Sequence, residues 1–294
     1  MIDMKLFTFI TVAKVKNFTR AADILNITQP AISQHIKALE EYYNVKLLYK
    51  KSRQMELTEE GELLFKHALE LDRLSKMIKS ELQNKSSVIK RYNVGATLTI
   101  GGYVLPKIIG KYRAIYENID IILYVDNTET IIKKLYSGDI NLGVIEGPFD
   151  KTKVNYIKFK DDELVLAVAP SHPFANKESV TIEEVLDEKL ILREKGSGTR
   201  QVFEDYLSKA GYRLDDRDIY MVIGNIAALI SLVESNLGCT IISKEAIKSS
   251  LKTNTLKIVS INNFKIMREF NFIYLDEMHK SFRDNFIEFC KKNA

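Results

Sequence analysis

Residues 18–61 read FTRAADILNITQPAISQHIKALEEYYNVKLLYKKSRQMELTEEG. Two short helical patterns are joined here by a turn, and a basic hairpin follows. Thr19 predicts the cap of a helix over TRAADILN, whose Ala21, Ala22 and Leu25 are small or apolar. Asn26 suits the left-handed residue that ends a helix. Thr28 caps the next helix, and Pro30 falls in its first turn, where a missing N–H costs little. Ile32, Ile36 and Leu39 recur at helical spacing and form its buried stripe. Upstream, Asp3 opens a helix with Leu6, Phe9, Ile10 and Ala13 on one face, and Asn17 ends that pattern.

Three such helices predict a helix-turn-helix, whose second helix lays its N-terminal part in the major groove of DNA. That places Thr28, Gln29, Pro30, Ser33, Gln34 and Lys37 at the DNA. Glutamine amides read adenine edges, while serine and lysine reach phosphates or bases. His35 lies next to this face. After Tyr43, two apolar runs flank a polar tip, predicting a wing that carries Lys50, Lys51 and Arg53 to the backbone or minor groove. From Lys14 to Arg53 there are eight basic residues against three acidic ones, an excess of five. The whole chain is only +4, so the remainder is slightly acidic. A basic end on a near-neutral body suits a protein that grips phosphates with one part only.

The 294-residue chain is long enough for two or three domains, and 46% hydrophobic with 28% charged residues is ordinary globular composition. Thr58 caps a further helix, with Glu59, Glu60 and Glu62 near its positive end, running to about Asn84. Leu64, Ala68, Leu71, Ser75, Ile78 and Leu82 form a heptad seam, which predicts a homodimer through this helix. Leu63, Leu74 and Met77 lie off the seam and are expected to pack on the helix's own DNA-binding unit. The divisions read from the sequence are 1–58 for the winged helix-turn-helix, 59–89 for the helix and its hinge, and 90–294 for the rest.

From Tyr92 strands alternate with helices, which implies α/β lobes with largely parallel sheets. Two strand-to-helix turns carry small and hydroxyl residues. The first is Gly95-Ala96-Thr97-Leu98-Thr99, and the second runs from Arg193 to Arg200 and holds Gly196, Ser197, Gly198 and Thr199. Free N–H groups at a helix start favour an anion. The four hydroxyls of Thr97, Thr99, Ser197 and Thr199 add donors, and Arg193 or Arg200 a counter-charge. Catalysis finds no support. Lys195 occupies the first glycine position of a nucleophile elbow, no Lys-Ser/Thr completes a P-loop, and the four histidines are scattered. No catalytic residue, metal site or cofactor is expected. The two cysteines, Cys239 and Cys290, have no metal-like or disulfide-framework spacing. The start MIDMKLFTFI is not a signal peptide, and no apolar run of about 18 residues is present, so a cytoplasmic protein with no membrane contact is expected.

These residues closely resemble the N-terminal signature of LysR-type transcriptional regulators. The pieces that carry it are Ala21-Ala22, Thr28-Gln29-Pro30-Ala31, Ser33, Ile36, Leu39-Glu40, Leu47-Leu48, Arg53, Leu57-Thr58 and Gly61. The long helix, TIGGYVLP, ELVLAVAPSHPFA and NLGCTIIS are also similar to the family, so the resemblance covers essentially the whole chain. It implies a sequence-specific DNA-binding regulator with an effector domain of two Rossmann-like lobes similar to periplasmic binding proteins. Lobe I would hold about 90–163 and 270–294, and lobe II about 164–269, with crossover strands near Leu164–Ala169 and Phe270–Leu275. It further implies promoter DNA as partner, a tetramer built as a dimer of dimers, and contact with RNA polymerase. GATLTIG and REKGSGTR look most like the subgroup of sulfur-assimilation and carbon-fixation regulators. There the effector contacts would fall on Thr97, Leu98, Thr99, Ser197, Gly198 and Thr199, with Leu98 departing from a polar residue often found. The effector expected is a small anion, sulfate-like or a small carboxylate. The competing readings are a solute-binding protein, which leaves the N-terminal unit unexplained, and an α/β enzyme, which lacks a catalytic set.

Overall fold

The computed structural model describes residues 3–51, 54–86, 89–275 and 279–294. The chain divides into two compact units, one of 1–88 with 136–139 and one of 89–135 with 140–294.

The first unit opens with three helices, α1 (Met4–Val15), α2 (Phe18–Leu25) and α3 (Gln29–Tyr43). Asp3 caps α1 by accepting from the Lys5 N–H at 2.9 Å. Lys16, in the left-handed region at φ 53°, ends it. The chain then re-enters a helix after one more residue. Asn17 is that residue: it is extended, and its side chain accepts from Arg20 N–H at 3.0 Å. The cap of α2 is therefore Asn17 and not Thr19, which sits exposed inside the first turn. A cap must be extended while the next residues are already helical, and only Asn17 meets that condition. Left-handed Asn26 ends α2, and Thr28 caps α3.

Phe9, Ile10, Ala21, Ile32, Ile36 and Leu47 are among the side chains that fill this unit's core. The wing is an antiparallel pair, β1 (Leu48–Lys51) and β2 (Gln54–Leu57), with Leu48 opposite Leu57. Met55 N–H donates to Lys16 O, tying the wing to the end of α1. The Glu40 carboxylate accepts from Lys46 at 2.6 Å and from Leu47 N–H at 3.0 Å, tying α3 to the wing's base.

The long helix α4 (Glu59–Ser86) is capped by Thr58, whose hydroxyl accepts from Gly61 N–H. Its faces differ from the heptad expectation. Leu64 and Ala68, expected on the dimer seam, pack into the unit's own core with Phe65 and Leu69. Leu63 and Leu74, expected to pack inward, are exposed. Met77 alone of the three inward residues is buried. The first turns of α4 must cover Phe9 and its neighbours, whose ring meets Phe65 edge-on. That need turns the helix, and leaves Leu71, Leu74, Ile78 and Leu82 as the exposed apolar stripe.

In the second unit one sheet runs through both lobes. Lobe I contributes β3 (Lys90–Thr97), β4 (Ile119–Asp126) and β5 (Leu142–Glu146), with α5 (Leu105–Ile115) and α6 (Thr128–Tyr136) between them. These three strands are parallel. The strand β6 (Asn155–Val168) then crosses into lobe II. There follow β7 (Ser179–Val180), α7 (Ile182–Asp187), β8 (Ile191–Arg193), α8 (Gly198–Lys209), β9 (Met221–Ile223), α9 (Ile226–Glu234), β10 (Thr240–Ser243), α10 (Lys248–Lys252) and β11 (Lys257–Ile261). The return strand is β12 (Ile266–Tyr274), and α11 (Lys280–Asn293) closes the chain.

The sheet order is β4-β3-β5-β12-β6-β11-β7, with β10 also on β6. The centre is antiparallel: β12 pairs β5 and β6, and β6 pairs β10 and β11. The expectation of parallel sheets thus holds for the outer strands and for the separate parallel pair of β8 and β9, and fails at the centre because two chain crossings in opposite directions must lie side by side. Both crossing strands are longer than the segments read from the sequence. Phe159, Phe270 and Phe272 belong to the core of one lobe, and Leu164, Leu166 and Ile266 to that of the other. The switch falls at Asp161-Asp162-Glu163, opposite Met267-Arg268-Glu269.

Replacing Asn17 by alanine is expected to cost about 1 kcal/mol of the stability of the first unit, and Thr19→Ala well under half of that. Urea unfolding of the two variants measures this, and equal losses would return the cap to Thr19.

Candidate functional site

The exposed start of α3 carries the first site. Thr28, Gln29, Pro30, Gln34 and Lys37 are exposed and Ser33 is half-buried, all on one edge of the helix opposite Ile32, Ile36 and Leu39. Gln29 Nε2 donates to Ser33 Oγ at 3.2 Å, which holds that amide along the helix. Lys37 lies 3.6 Å from Glu41, a fully solvated pair of little strength. His35 Nδ1 is bonded to Thr8 Oγ1 at 2.8 Å, so this ring joins α3 to α1. Lys50 and Lys51 stand exposed on β1, and Lys51 leans 3.4 Å from Glu56. Arg53 lies outside the described residues.

The second site is the seam between the lobes. Thr97 ends β3, Leu98 and Thr99 follow it, and Gly196 and Ser197 precede α8, which Gly198 and Thr199 begin. The four hydroxyl residues are enclosed, each at most 4% exposed. Both turns converge on a pair of residues that the sequence reading passed over, Glu146 and Arg268. Thr97 donates its hydroxyl proton to Glu146 Oε2, and Thr99 stands close enough to that carboxyl to lower its pKa. From the other side, Arg268 Nη1 donates to Thr199 Oγ1 at 2.9 Å and lies 4.0 Å from Glu146 Oε1. Arg268 Nε donates to Asp162 Oδ2 at 2.7 Å, and Asp162 Oδ1 accepts from Ser243.

The lobes touch closely here. Gly147, at φ +94°, lies so near Gly198 that a Cβ on it would stand 2.6 Å from Gly198 Cα. A Cβ on Gly198 would stand 2.3 Å from Glu146 O. Thr128 Oγ1 donates to that same carbonyl at 2.8 Å. Gly196 faces Asn127 and Glu129 at the start of α6. Leu98 is turned elsewhere: with Tyr103 it packs on the lobe II cluster that includes Ile226 and Ile230.

Electrostatically the seam is mixed. Burial pushes the Glu146 carboxyl above the usual carboxylate range, and nearby Asp162 adds to the rise against the pull of Arg268, Thr99 and Arg193. The counter-charges expected from the sequence are committed elsewhere. Arg193 clasps Glu194 with two bonds of 2.8 Å. Arg200 is held by Glu204 and Asp216. Arg268 is the cation that reaches the hydroxyls. Glu146 was findable as the acid ending an otherwise apolar strand, LGVIE, just before a glycine. Arg268 was findable as a charge on the strand face that Ile266 and Phe270, two residues to either side, share.

Catalytic chemistry has little to work with. Burial pushes the Cys239 and Cys290 thiols up to about 12, which keeps them protonated and unreactive. Among the described residues no group of three or more His, Cys, Asp or Glu could hold a metal ion, and no helix is long and apolar enough to cross a membrane.

Residues 4–62 match the model of the bacterial regulatory helix-turn-helix protein, lysR family, and residues 86–294 match that of the LysR substrate binding domain. The chain belongs to the LysR family. This LysR regulator is 29% identical to the HTH-type transcriptional regulator CysL of Bacillus subtilis, over 98% of this chain and 96% of CysL. It is 30% identical to a probable RuBisCO transcriptional regulator of Phaeodactylum tricornutum, over 92% of this chain and 89% of that one. Both fall in the subgroup that the two hydroxyl-bearing turns resemble. Full-length OxyR from Pseudomonas aeruginosa shares the fold, with a TM-score of 0.64, 20% identity, and coverage of 99% of this chain and 95% of OxyR. The LysR chain is therefore a DNA-binding transcriptional regulator and not an enzyme, with a helix-turn-helix, a long helix and a two-lobed effector-binding domain.

The raised Glu146 carboxyl makes a statement about stability. An acid with a folded pKa above its unfolded value of about 4.3 binds more protons when folded. Its contribution is full below that value and is lost as pH rises through the folded pKa. Glu146→Gln cannot ionise, so thermal unfolding of the variant should lose less stability than wild type from about pH 5 to about pH 8. Parallel pH profiles would show that Arg268 already holds Glu146 ionised.

Proposed function

We propose that this regulator senses a small anion, sulfate-like or a small carboxylate, held in the interlobe seam by Thr97, Thr99, Ser197, Thr199 and the backbone N–H groups opening α8. One observation carries the reading: the lobe I hydroxyl of Thr97 meets the enclosed carboxyl of Glu146, and the lobe II hydroxyl of Thr199 meets the Arg268 guanidinium that stands 4.0 Å from that carboxyl. A setting that already accommodates one carboxyl in hydroxyl and guanidinium contacts suits a second anionic oxygen, provided Glu146 is protonated. Its raised pKa favours that state, and the neutral acid then donates to the ligand where a carboxylate would repel it. Leu98 gives no polar contact in this reading and serves as an apolar clamp between the lobes.

DNA binding in this reading uses the exposed edge of α3 and the wing. Gln29, Ser33 and Gln34 read base edges, with Thr28 and Pro30 setting the helix start against the backbone. Lys37, Lys50 and Arg53 neutralise phosphates. The homodimer forms through the exposed Leu71, Leu74, Ile78 and Leu82 of α4, which with Leu6 wall a groove of about 700 Å³. Such a dimer presents two recognition helices to two half-sites. Pairing of dimers into a tetramer, contact with RNA polymerase and residence in the cytoplasm complete the proposal.

Two experiments test it. Thermal unfolding of the full chain is followed with sulfate and a panel of small carboxylates. A ligand at a hundredfold its Kd is expected to add about 2.7 kcal/mol. The gain should shrink as pH rises and Glu146 ionises, and Thr99→Val or Thr199→Val should remove it. No selective shift, or one that grows with pH, rejects the anion. In the second, Leu74→Glu with Ile78→Glu should give a monomer by sedimentation that binds the operator at least tenfold more weakly, since charge replaces apolar contact. An intact dimer would place the interface elsewhere.

A further inference from the structure

A cavity of about 360 Å³ lies beside the seam, where the segment after β5 faces α8 and β12. Its apolar walls are Phe149, Val202 and Met267, with the ring of Tyr206. The Tyr206 hydroxyl both donates to Met267 O and accepts from Met267 N–H, at 3.1 and 3.2 Å, which fixes α8 against β12. Lys151 and Lys209 border the cavity and lie over the rings of Tyr156 and Tyr206. Of its two acidic neighbours, Glu269 is drawn 3.1 Å from Lys158, which leaves Asp205.

Two residues of the wall decide the chemistry. Arg268 is 6% exposed and Asn271 3% exposed. Arg268 commits Nε to Asp162 and Nη1 to Thr199, yet its buried Nη2 has no hydrogen-bond partner. The buried Oδ1 of Asn271 has none either. Buried polar atoms in folded proteins are nearly always bonded, and these two stand unpaired on neighbouring residues that both line this one cavity. An asparagine amide turns over readily and then offers its NH2 where its oxygen stood. A guanidinium N–H and an amide N–H, with two lysines at the border, form a receptor for a carboxylate.

We propose that this cavity is a second ligand site, for a compact monocarboxylate whose apolar body lies against Phe149, Val202 and Met267 and whose carboxylate is taken by Arg268 and Asn271. The site stands apart from the effector reading, but its consequence rests on it. The same guanidinium holds Thr199 and faces Glu146 in the seam. A carboxylate drawn to Nη2 competes for the charge that Nη1 offers the seam, so the two sites oppose each other, and the opposition is reciprocal.

The test uses the full chain with methionine methyl groups labelled for NMR, and phenylacetate as the probe. Met267 is assigned by its loss in Met267→Leu. Its signal is expected to move saturably with phenylacetate and not with the neutral 2-phenylethanol. Asn271→Asp should abolish the movement, and the exposed Lys209→Glu should weaken binding about tenfold, which keeps the test alive if the first variant does not fold. A Met267 signal that stays fixed up to about 10 mM probe overturns the site. So does one that moves equally with the alcohol, or one indifferent to Lys209→Glu. The coupling is read separately, as sulfate affinity with and without saturating phenylacetate. A fall of threefold or more supports it. Equal affinities overturn the opposition alone if sulfate binds. Absence of sulfate binding to the free protein would count against the anion in the seam, while the phenylacetate titration still decides the second site.

Discussion

The effector-binding unit is organised around one buried ion pair, Arg268 with Asp162. The two residues face each other in register on the antiparallel strands β12 and β6, at the point where both strands leave one lobe for the other. Each side chain is about 2% exposed or less. Taking two charges out of water costs several kcal/mol per ion, and mutual attraction offsets this only with good geometry and further hydrogen bonds. Those bonds come from Ser243 to Asp162 and from Arg268 to Thr199. The pair thus gains both of these bonds only when α8 and β10 are docked on the crossover. A purely apolar crossover would tolerate many relative placements of the lobes, whereas this one prefers the placement that completes the hydrogen bonds.

That constraint passes directly to the functional seam. With Arg268 fixed by Asp162, its Nη1 has one direction left, toward Thr199 and Glu146. The start of α8 is thereby set against the end of β5, and Gly147 and Gly198 permit the backbones to meet there. Any side chain at Gly198 would drive the lobes apart, so the glycines of REKGSGTR serve approach as well as turning. Leu98 and Tyr103 complete the contact by packing on the lobe II cluster. In the proposed reading binding chemistry and lobe closure consequently depend on the same atoms, which is what a ligand-responsive hinge needs.

The sequence carried local information well and long-range information poorly. The helix caps at Asp3, Thr28 and Thr58 and the left-handed Asn26 were legible because capping is decided within three or four residues. The miss at Asn17 is instructive, since Thr19 is also a capping residue, and both the stronger preference for Asn and the shortness of the turn from Lys16 select Asn17. On α4 two apolar stripes compete, and heptad spacing cannot say which one Phe9 and Phe65 require. The hydroxyl turns were legible as two separate features. Their meeting point was not, because Glu146 and Arg268 are 122 residues apart and neither belongs to a local motif. A lone acid at a strand end and a lone arginine in a strand each have a bland surface reading, and only pairing across the sheet removes it.

The position of Glu146 also decides how the seam can discriminate. A site built only of hydroxyls and N–H groups accepts any anion of suitable size at any moderate pH. An enclosed carboxyl changes the rule, because two negative charges a few ångströms apart in a poorly solvated setting repel strongly. Such a site selects a ligand that can accept a hydrogen bond from the neutral acid, or one that arrives with its own proton. In the proposed reading it reports an anion and the local acidity together. Arg268 moderates this behaviour by pulling against the effect of burial on Glu146, and in the proposed reading ligand and Glu146 share one guanidinium. Specificity in the proposed site thus comes from a group inside it opposing the ligand, as much as from the hydroxyls that attract it.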